Sequence, residues 1–396
     1  MKDMLIASFD LEVGGVERSL ISMLDHFDYT NYKVDLMLYR HQGEFMNLLS
    51  DEPVLLEEIP QYATFRKSIK DVFSDKHYVI GFSRIFSKLN ADMRGKLKKN
   101  DEPGYYQMQL MWKYALPFLP KLYKKYDVAV SYLWPHFFVA EKVEARTKIA
   151  WIHTDYASVD TNVRLDLKIW EKFDHIIAVS EACEASFLKK YPQLKQKVTV
   201  MENISSPQLI HNLAGENEVN PMTDDSRFKL ITVARLSHAK GIDQAIKALH
   251  VLKKRGYTNI AWYVVGYGGD EEVLRQLIVY LGLDDRFILL GKKINPYTFI
   301  KAADLYVQPS RYEGKAVTVR EAQILAKPVL ITNYATAPSQ VKDGFDGVIC
   351  DLSAEGIADG VEALYNDAVL KNQLAVNCAA TNYENDEELE KLYEFA

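Results

Sequence analysis

Short runs of apolar and β-branched residues alternate along the chain with stretches in which apolar residues recur every three or four positions. The short runs predict β strands, and the periodic stretches predict amphipathic helices. Their regular alternation predicts parallel βαβ units with helices on both faces of each sheet. The predicted strands are MLIASF, KVDLMLY, DVAVSYL, TKIAWIH and DHIIAVS in the first half and FKLITVA, IAWYVVG, RFILLG, LYVQPS, PVLIT and GVICD in the second.

The pattern is weakest between residues 203 and 228, where Pro, Asn, Gly and Asp cluster between two predicted strands. Such a composition is typical of a connection between domains, and a chain of 396 residues is too long for one ordinary core. We therefore predict an α/β protein with a Rossmann-like domain over residues 1–205 and a second over 206–379. The charged helix within residues 380–396 is expected to return to the first domain.

Residues 61–126 interrupt the alternation with a basic and aromatic insertion. Its acidic residues before position 100, Asp71, Asp75 and Asp92, are outnumbered by Arg66, Lys67, Lys70, Lys76, Arg84, Lys88, Arg94, Lys96, Lys98 and Lys99. Interleaved with them are Phe73, Tyr78, Ile80, Phe82, Ile85 and Phe86. Such a segment can lie on an anionic membrane, where each basic residue contributes on the order of 1 kcal/mol. The alternative is a solvated helical insertion whose apolar face packs on its own domain.

The charge, the cysteine spacing and the apolar runs of the chain argue against several classes of protein. A net charge of −6 argues against a nucleic-acid-binding protein. Cys183, Cys350 and Cys378 follow no metal-ligand or CxxC spacing, which fits a reducing compartment. The apolar run at the start is too short for a signal peptide, and no stretch offers the roughly 18 apolar residues of a spanning helix. We expect a cytoplasmic protein, soluble or peripheral to a membrane.

Two cations follow the first predicted strand of the second half. The stretch VARLSHAKGID places Arg235 and Lys240 after that strand and before a helix that starts near Ile242. Ligands of parallel sheets bind beyond the carboxyl ends of the strands, and both cations and a helix N-terminus attract phosphate. The loop therefore predicts an anion site, although two solvated surface cations would produce the same pattern.

Two further turns lie at carboxyl ends of predicted strands. In VVGYGGDEEVLRQL the glycine spacing is not GxGxxG, so Gly266 predicts a tight turn near a nucleotide rather than a phosphate cradle or an NAD site. In RYEGKAVTVREA, Glu313 falls in a loop and Glu321 in the first turns of a helix. Gly314 permits close approach of a ligand, and the amides of residues 315–318 suit phosphate. Carboxylates accept hydrogen bonds, which sugar hydroxyls donate.

The first half contributes a glycine pair and a histidine. Gly14 and Gly15 follow the first predicted strand, where glycine permits close approach of a phosphate or a sugar. His153 ends a central strand, again at the carboxyl edge of the sheet. A histidine that is merely satisfied at a strand end is the alternative for His153.

Taken in order, these motifs resemble the retaining GT-B glycosyltransferases of family four, also called glycosyltransferases group 1, of the bacterial surface-polysaccharide type. The resemblance rests on GG near the start, the strand-end His, R-x4-K, the VVGxG turn and E-x7-E followed by a KPV strand. It covers nearly the whole chain. It implies a GT-B fold, in which two Rossmann-like domains with parallel sheets face a central cleft and a C-terminal helix crosses back to the first domain.

The resemblance also implies metal-independent transfer of a sugar from a nucleotide sugar, with retention at the anomeric carbon and without a cofactor. Arg235 and Lys240 would bind the diphosphate and stabilise the charge of the leaving group. Glu321 would accept hydrogen bonds from the ribose, while Glu313 would hold the donor sugar. The implied catalytic residues are His153, Glu313, Arg235 and Lys240. The implied donor-binding residues are Gly14, Gly15, Arg235, Lys240, Gly266, Glu313, Gly314, Lys315, Ala316, Val317 and Glu321.

Departures from the family's pattern refine these expectations. EGKA replaces the usual EGFG, so that Lys315 and Ala316 put the identity of the donor sugar in doubt. NISS at residues 203–206 replaces NGVD, a form associated with surface-polysaccharide enzymes that use UDP-sugars and lipid-linked acceptors. The chain has no D-x-D motif to hold a divalent ion. Two alternatives stay open: a GDP-mannose-dependent α-mannosyltransferase and a non-catalytic nucleotide-sugar-binding protein.

Overall fold

The chain folds as two compact units, each built on one parallel β sheet. The structure, a computed structural model, describes residues 1–97, 104–157 and 159–396. The first unit comprises Met1–Glu12, Val16–Glu202 and Glu387–Ala396. The second comprises Val13–Gly15 and Asn203–Asp386.

The described residues of the first unit form a sheet of seven strands. In chain order these are β1 (Lys2–Ser8), β2 (Tyr32–Leu38), β3 (Val54–Leu55), β4 (Lys125–Ser131), β5 (Glu144–Ile152), β6 (His175–Ala178) and β7 (Val198–Val200). Their order across the sheet is β3-β2-β1-β4-β5-β6-β7, and all of the pairs are parallel. The central strands are buried along most of their length, as expected for a parallel sheet that is covered on both faces.

Helices precede and follow these strands. They are α1 (Gly15–Asp25), α2 (Pro60–Ala63), α3 (Ile69–Ser74), α4 (Tyr78–Leu97), α5 (Gly104–Ala115), α6 (Phe137–Lys142), α7 (Val163–Trp170) and α8 (Glu181–Lys190). Side-chain caps fix where several begin, since Ser68, Asn162 and Ser180 accept hydrogen bonds from backbone N–H groups at the starts of α3, α7 and α8.

The predicted insertion, residues 61–126, is largely helical in its described part. The Arg84 side chain is fixed within the insertion, because its guanidinium donates to the backbone oxygens of Thr64 at 2.7 Å and Lys67 at 2.6 Å. Lys98 and Lys99 of the predicted basic surface lie outside the described residues, as do the side chains of Arg94 and Lys96. None of the described helices combines the length and the apolar character needed to cross a lipid bilayer.

The second unit contains a parallel sheet of six strands within the described residues. They are β8 (Phe228–Val233), β9 (Ile260–Val265), β10 (Phe287–Gly291), β11 (Leu305–Gln308), β12 (Val329–Thr332) and β13 (Val348–Cys350), in the order β10-β9-β8-β11-β12-β13. Strand β8 therefore lies beside β11, and the loops that follow the two strands emerge at the same edge of the sheet.

Its helices are α9 (Pro207–Ala214), α10 (Ile242–Lys254), α11 (Glu271–Tyr280), α12 (Tyr297–Ala302), α13 (Val317–Ile324), α14 (Ala354–Asn366) and α15 (Ala368–Ala380). Helix α9 lies in the segment that the sequence predicts to be only a connection. The last helix, α16 (Glu388–Tyr393), belongs to the first unit. There the Tyr393 ring stacks on Tyr32 at 5.0 Å, and its hydroxyl accepts the Asp28 N–H at 2.8 Å.

The predicted α/β fold with two Rossmann-like parallel sheets is confirmed. All eleven predicted strands are present in the structure. The sequence patterns miss only β3 and β7 among the described strands, because runs of two and three residues are too short to show a period.

His136 is a buried histidine in the core of the first unit. It is 1% exposed, its Nδ1 lies 2.8 Å from Ser131 Oγ, and its ring contacts Trp170 at a centroid distance of 4.4 Å. Burial, which disfavours the charged imidazolium, lowers the pKa of His136 to about 3. The folded protein therefore keeps this side chain neutral at a pH where the unfolded chain would protonate it.

We expect the first unit to become less stable as the pH falls, because of His136. The unfolded state binds the extra proton below a pKa of about 6.5, so the free energy of unfolding decreases as the pH falls below that value. Between pH 7 and pH 5 the loss is about 2 kcal/mol. Urea unfolding of the wild type and His136→Gln at both pH values measures it. His136→Gln should lack this part of the pH dependence, and a control substitution at exposed His41 should keep it. Equal pH dependence in the wild type and both variants would contradict the role of His136.

Candidate active site

The carboxyl ends of β8 and β11 bring Lys240 and Glu313 together. Lys240 ends a 3₁₀ turn, His238–Lys240, after β8, and Glu313 lies in the loop after β11. The Lys240 ammonium donates to both carboxylate oxygens of Glu313, at 2.7 and 2.5 Å. The Glu313 side chain is only 6% exposed, so little water competes with the pair. Two residues that the sequence predicts to share a ligand thus form one ion pair.

Neutral side chains hold the Glu313 carboxylate in place. Gln308 Nε2 donates to its Oε1 at 3.0 Å, and the Ser310 hydroxyl donates to the same oxygen at 2.6 Å. Behind them, the Tyr306 hydroxyl lies 2.6 Å from Gln308 Oε1 and 2.7 Å from Thr318 Oγ1. These neutral residues were not predicted from the sequence. Their only signal was the run of polar residues at the end of a buried strand.

Arg311 fixes the loop that carries Lys240. Its guanidinium pairs with both carboxylate oxygens of Asp243 at 2.7 Å and donates to the His238 backbone oxygen at 2.7 Å. The Arg311 N–H also donates to the Ala239 oxygen at 2.8 Å. Bidentate pairs of this kind set orientation as well as distance. The Lys240 loop is therefore held against the loop after β11 by contacts separate from the Lys240–Glu313 pair.

Arg235 differs from Lys240 in its surroundings. Its side chain is exposed, and no ion pair with a described residue is found for it. Arg235 and Lys240 both follow β8, one and six positions after Ala234. Arg235 is accordingly available to an anionic ligand, whereas Lys240 would have to share its ammonium between Glu313 and that ligand.

Glu321 occupies the buried side of α13. It is 4% exposed, and the Tyr297 hydroxyl donates to its Oε1 at 2.8 Å. Glu313 precedes the helix and Glu321 lies within it, so one structural element positions both carboxylates. Tyr297, at the start of α12, was not predicted; its hydroxyl orients the Glu321 carboxylate.

The glycines of the second unit permit close backbone packing. Gly266 has φ of 156°, and a Cβ added there would lie 1.8 Å from the Ala234 oxygen. Gly241 has φ of 64°, and an added Cβ would lie 1.9 Å from the Pro309 oxygen. These positions bring the loops after β8, β9 and β11 together, which agrees with a tight turn at Gly266.

The remaining predicted donor-binding residues cluster around the start of α13. Ala316 is its N-cap and Val317 its first residue, preceded by Gly314 and Lys315. Gly14 and Gly15 belong to the segment Val13–Gly15, which groups with the second unit. A Cβ added to Gly15 would lie 2.9 Å from Val317 Cγ2.

His153 lies in the first unit, directly after β5. Its ring contacts Tyr132 at a centroid distance of 4.5 Å, and its Nε2 is buried without a hydrogen-bond partner among the described residues. Desolvation lowers the pKa of His153 to about 3. At neutral pH the ring is therefore an uncharged imidazole, suited to exchanging one hydrogen bond with a polar ligand.

Residues 216–384 match the family described as glycosyl transferases group 1. The matched range lies within the second unit. Lys240, Glu313 and Glu321 all lie within the matched range. The match and the glycosyltransferase relatives below support the predicted enzyme class, a glycosyltransferase.

Proteins with similar sequences are also named as glycosyltransferases. An uncharacterized glycosyltransferase, MJ1059 of Methanocaldococcus jannaschii, is 28% identical over 45% of this chain and 44% of its own. The alpha-D-kanosaminyltransferase of Streptomyces kanamyceticus is 28% identical over 39% and 41%. The capsular polysaccharide biosynthesis glycosyltransferase CapM of Staphylococcus aureus is 27% identical over 55% and 60%. The chain thus spans less than half the length of the first two.

Solved structures are similar to this chain over its whole length. Alr3699/HepE of Anabaena, in complex with UDP-glucose, has a TM-score of 0.70 at 18% identity and covers both chains completely. TarM of S. aureus, as a mutant in complex with fondaparinux, alpha-GlcNAc-glycerol and UDP, has a TM-score of 0.67 at 15% identity over 100% of this chain and 99% of its own. At these identities the likeness shows the fold alone.

Proposed function

We propose that the chain is a retaining, metal-independent glycosyltransferase that moves a hexose or N-acetylhexosamine from a UDP-sugar to a lipid-linked glycan. The observation that carries the proposal is the Lys240–Glu313 pair at the adjacent ends of β8 and β11, with Glu321 on the following helix. The complexes of HepE with UDP-glucose and of TarM with UDP support this donor class.

In the proposed reaction Arg235 and Lys240 stabilise the charge that develops on the leaving diphosphate. Glu313 accepts hydrogen bonds from the donor sugar, Glu321 from the ribose, and neutral His153 exchanges a hydrogen bond with the sugar. The sequence has no D-x-D motif, so cations and backbone amides of the chain provide the neutralisation. Glu313 already accepts bonds from Lys240, Gln308 and Ser310, which makes it a poor nucleophile. The acceptor attacks from the face of the leaving group, and a phosphate oxygen takes its proton.

The setting we propose is the assembly of a cell-surface polysaccharide or glycolipid, such as capsule or teichoic acid. The names of CapM and of an amylovoran biosynthesis glycosyltransferase from Erwinia amylovora support it. The enzyme would act in the cytoplasm, at the inner face of the plasma membrane, where a lipid-linked acceptor is presented. No cofactor enters the reaction.

A panel of nucleotide sugars tests the donor. Thermal stabilisation and slow donor hydrolysis are expected with at least one UDP-sugar, because a ligand that binds the folded state raises the unfolding midpoint. Turnover with GDP-mannose alone would instead establish the mannosyltransferase alternative. Binding of nucleotide sugars without turnover, with or without acceptors, would establish the non-catalytic alternative.

Replacement of Glu321 with alanine is expected to weaken UDP binding about tenfold, because the ribose hydroxyls lose an acceptor. Calorimetry with UDP and with 2′-deoxy-UDP locates the effect. Wild-type protein should prefer UDP, and Glu321→Ala should bind the two ligands nearly equally. The control, Glu355→Ala on the exposed side of α14, should bind UDP like the wild type. Unchanged UDP affinity in Glu321→Ala would refute the ribose assignment.

A further inference from the structure

Helix α4 carries its large apolar side chains on the solvent side. Exposure ranges from 37% to 65% for Tyr78, Val79, Phe82, Ile85, Phe86, Leu89 and Met93. At 3.6 residues per turn, these seven positions occupy an arc of about 120° along the helix. We call them the α4 stripe. From Tyr78 to Met93 the stripe extends about 22 Å along the helix axis.

Among its described side chains, the inner face of α4 buries one large apolar residue, Ile80 at 3% exposure, beside small and polar residues. Ser87 is fully buried and Ala91 is 3% exposed. A Cβ added to Gly81 would lie 2.8 Å from the Phe73 ring, so the packing there leaves no room for a side chain. An amphipathic helix that only covers its own core places the large apolar residues inward. Helix α4 buries Ile80 but leaves most of its large apolar side chains outward, which favours docking over the alternative of an insertion that buries its apolar face.

Neighbouring rings hold the α4 stripe in place without covering it. Phe82 meets Phe73 edge to face at 5.2 Å, and Phe86 meets Tyr114 at 5.2 Å. Phe82 nevertheless stays 65% exposed and Phe86 57%. The stripe is thus an ordered apolar surface, for which burial elsewhere would be favourable.

Lysines lie close to the α4 stripe along the chain. Residues 66–93 contain six Lys or Arg and three Asp or Glu, whereas the whole chain has a net charge of −6. Lys70, Lys76 and Lys88 are exposed. Among the acids, Asp75 is paired with Lys67 at 2.8 Å. Arg66 is paired with Asp10, and Arg84 donates to backbone oxygens. The three exposed lysines outnumber the remaining exposed acids, Asp71 and Asp92, so the segment presents a small excess of positive charge beside an aromatic and aliphatic face.

We propose that the α4 stripe docks on an anionic lipid bilayer, with α4 lying parallel to the membrane surface. Phe, Leu, Ile and Met on one side with lysines beside them are the side chains of interfacial helices. A second copy fits less well, because a two-fold contact through the stripe would bring two positively charged surfaces together. The choice of a bilayer rests in part on the proposed lipid-linked acceptor.

Vesicle flotation tests the proposal with the full chain. Wild-type protein should float with phosphatidylglycerol-containing vesicles at about 0.05 M NaCl, and less with phosphatidylcholine alone or at about 0.5 M NaCl. Phe82→Ser with Phe86→Ser should lower the partition coefficient at least about tenfold. Lys70→Gln with Lys76→Gln and Lys88→Gln should weaken binding only to the anionic vesicles.

Matched controls separate docking from folding and from catalysis. Val279→Ser with Tyr280→Ser removes two side chains of α11 that are 63% and 84% exposed, and it should leave flotation unchanged. The stripe variant should keep the wild-type unfolding midpoint and UDP affinity in the absence of vesicles. A stripe variant that loses vesicle binding but still binds UDP would therefore show that the α4 stripe binds the membrane. A wild-type protein that binds no nucleotide would instead contradict the proposed function.

Three results would overturn the proposal. Wild-type protein could stay unbound with anionic vesicles at low salt, or the stripe variant could float like the wild type. In the third, the wild-type protein forms an oligomer in sedimentation velocity, the stripe substitutions dissociate it, and the wild type does not bind vesicles. That last result would assign the α4 stripe to a contact between copies of the chain.

Discussion

Replacing Lys240 with alanine is expected to lower kcat/KM for the donor by about 100- to 1,000-fold. The ammonium is the closest cation to the Glu313 carboxylate, at 2.7 and 2.5 Å, and the proposed reaction needs it to stabilise the leaving diphosphate. UDP affinity should fall as well, because the same charge attracts the ligand in its ground state. Steady-state kinetics and calorimetry with UDP measure the two effects.

Lys254→Ala is the matched control for Lys240→Ala. Lys254 lies on α10, the helix after the Lys240 loop, and its side chain is exposed. Its removal should change neither kcat/KM nor UDP affinity by more than about twofold. A Lys240→Ala enzyme with near wild-type activity and an unchanged unfolding midpoint would exclude the diphosphate role.

Replacing Glu313 with glutamine is expected to lower kcat about 100-fold and to change UDP affinity much less. Oε1 accepts from Gln308 and Ser310, so the glutamine oxygen should take that position. Its NH₂ group would then face the Lys240 ammonium, and two donors repel each other. The sugar would lose its charged acceptor, and Lys240 would keep only its contact with the Oε1 position. Kinetics with a UDP-sugar and calorimetry with UDP separate turnover from nucleotide binding.

A double-mutant cycle with Lys240→Ala distinguishes a shared role from two separate ones. Because the two side chains touch, the double variant should lose less activity than the product of the single losses. Fully multiplicative losses would show that the pair does not act as a unit. Glu355→Gln, an exposed carboxylate on α14, provides the control for the charge change.

The strands of both sheets could be predicted because buried β-branched runs carry a strong local signal. The short strand Val54–Leu55 could not, since its two residues are defined only by pairing with β2. Helix α9 was missed for another reason: Pro207 and its polar neighbours are typical of a connection, yet Pro is well accommodated in the first turn of a helix.

The charged residues of the site were predicted from where they follow strands. Gln308, Ser310 and Tyr297 were not, because neutral side chains gain their roles only when the fold brings them to a carboxylate. Periodicity also predicts that a helix is amphipathic without stating which face is outward. That information for α4 comes from the packing of Gly81 against Phe73.

The chain enters the second unit twice, at Val13–Gly15 and at Asn203–Asp386, and ends in the first. Recombination of this protein with a homologue is therefore not a single exchange after Glu202. A chimera that imports a foreign second unit must also import the three residues around Gly14 and keep the native Glu387–Ala396. Random single crossovers should accordingly yield few folded hybrids, and exchanges with four crossovers at these boundaries should yield more.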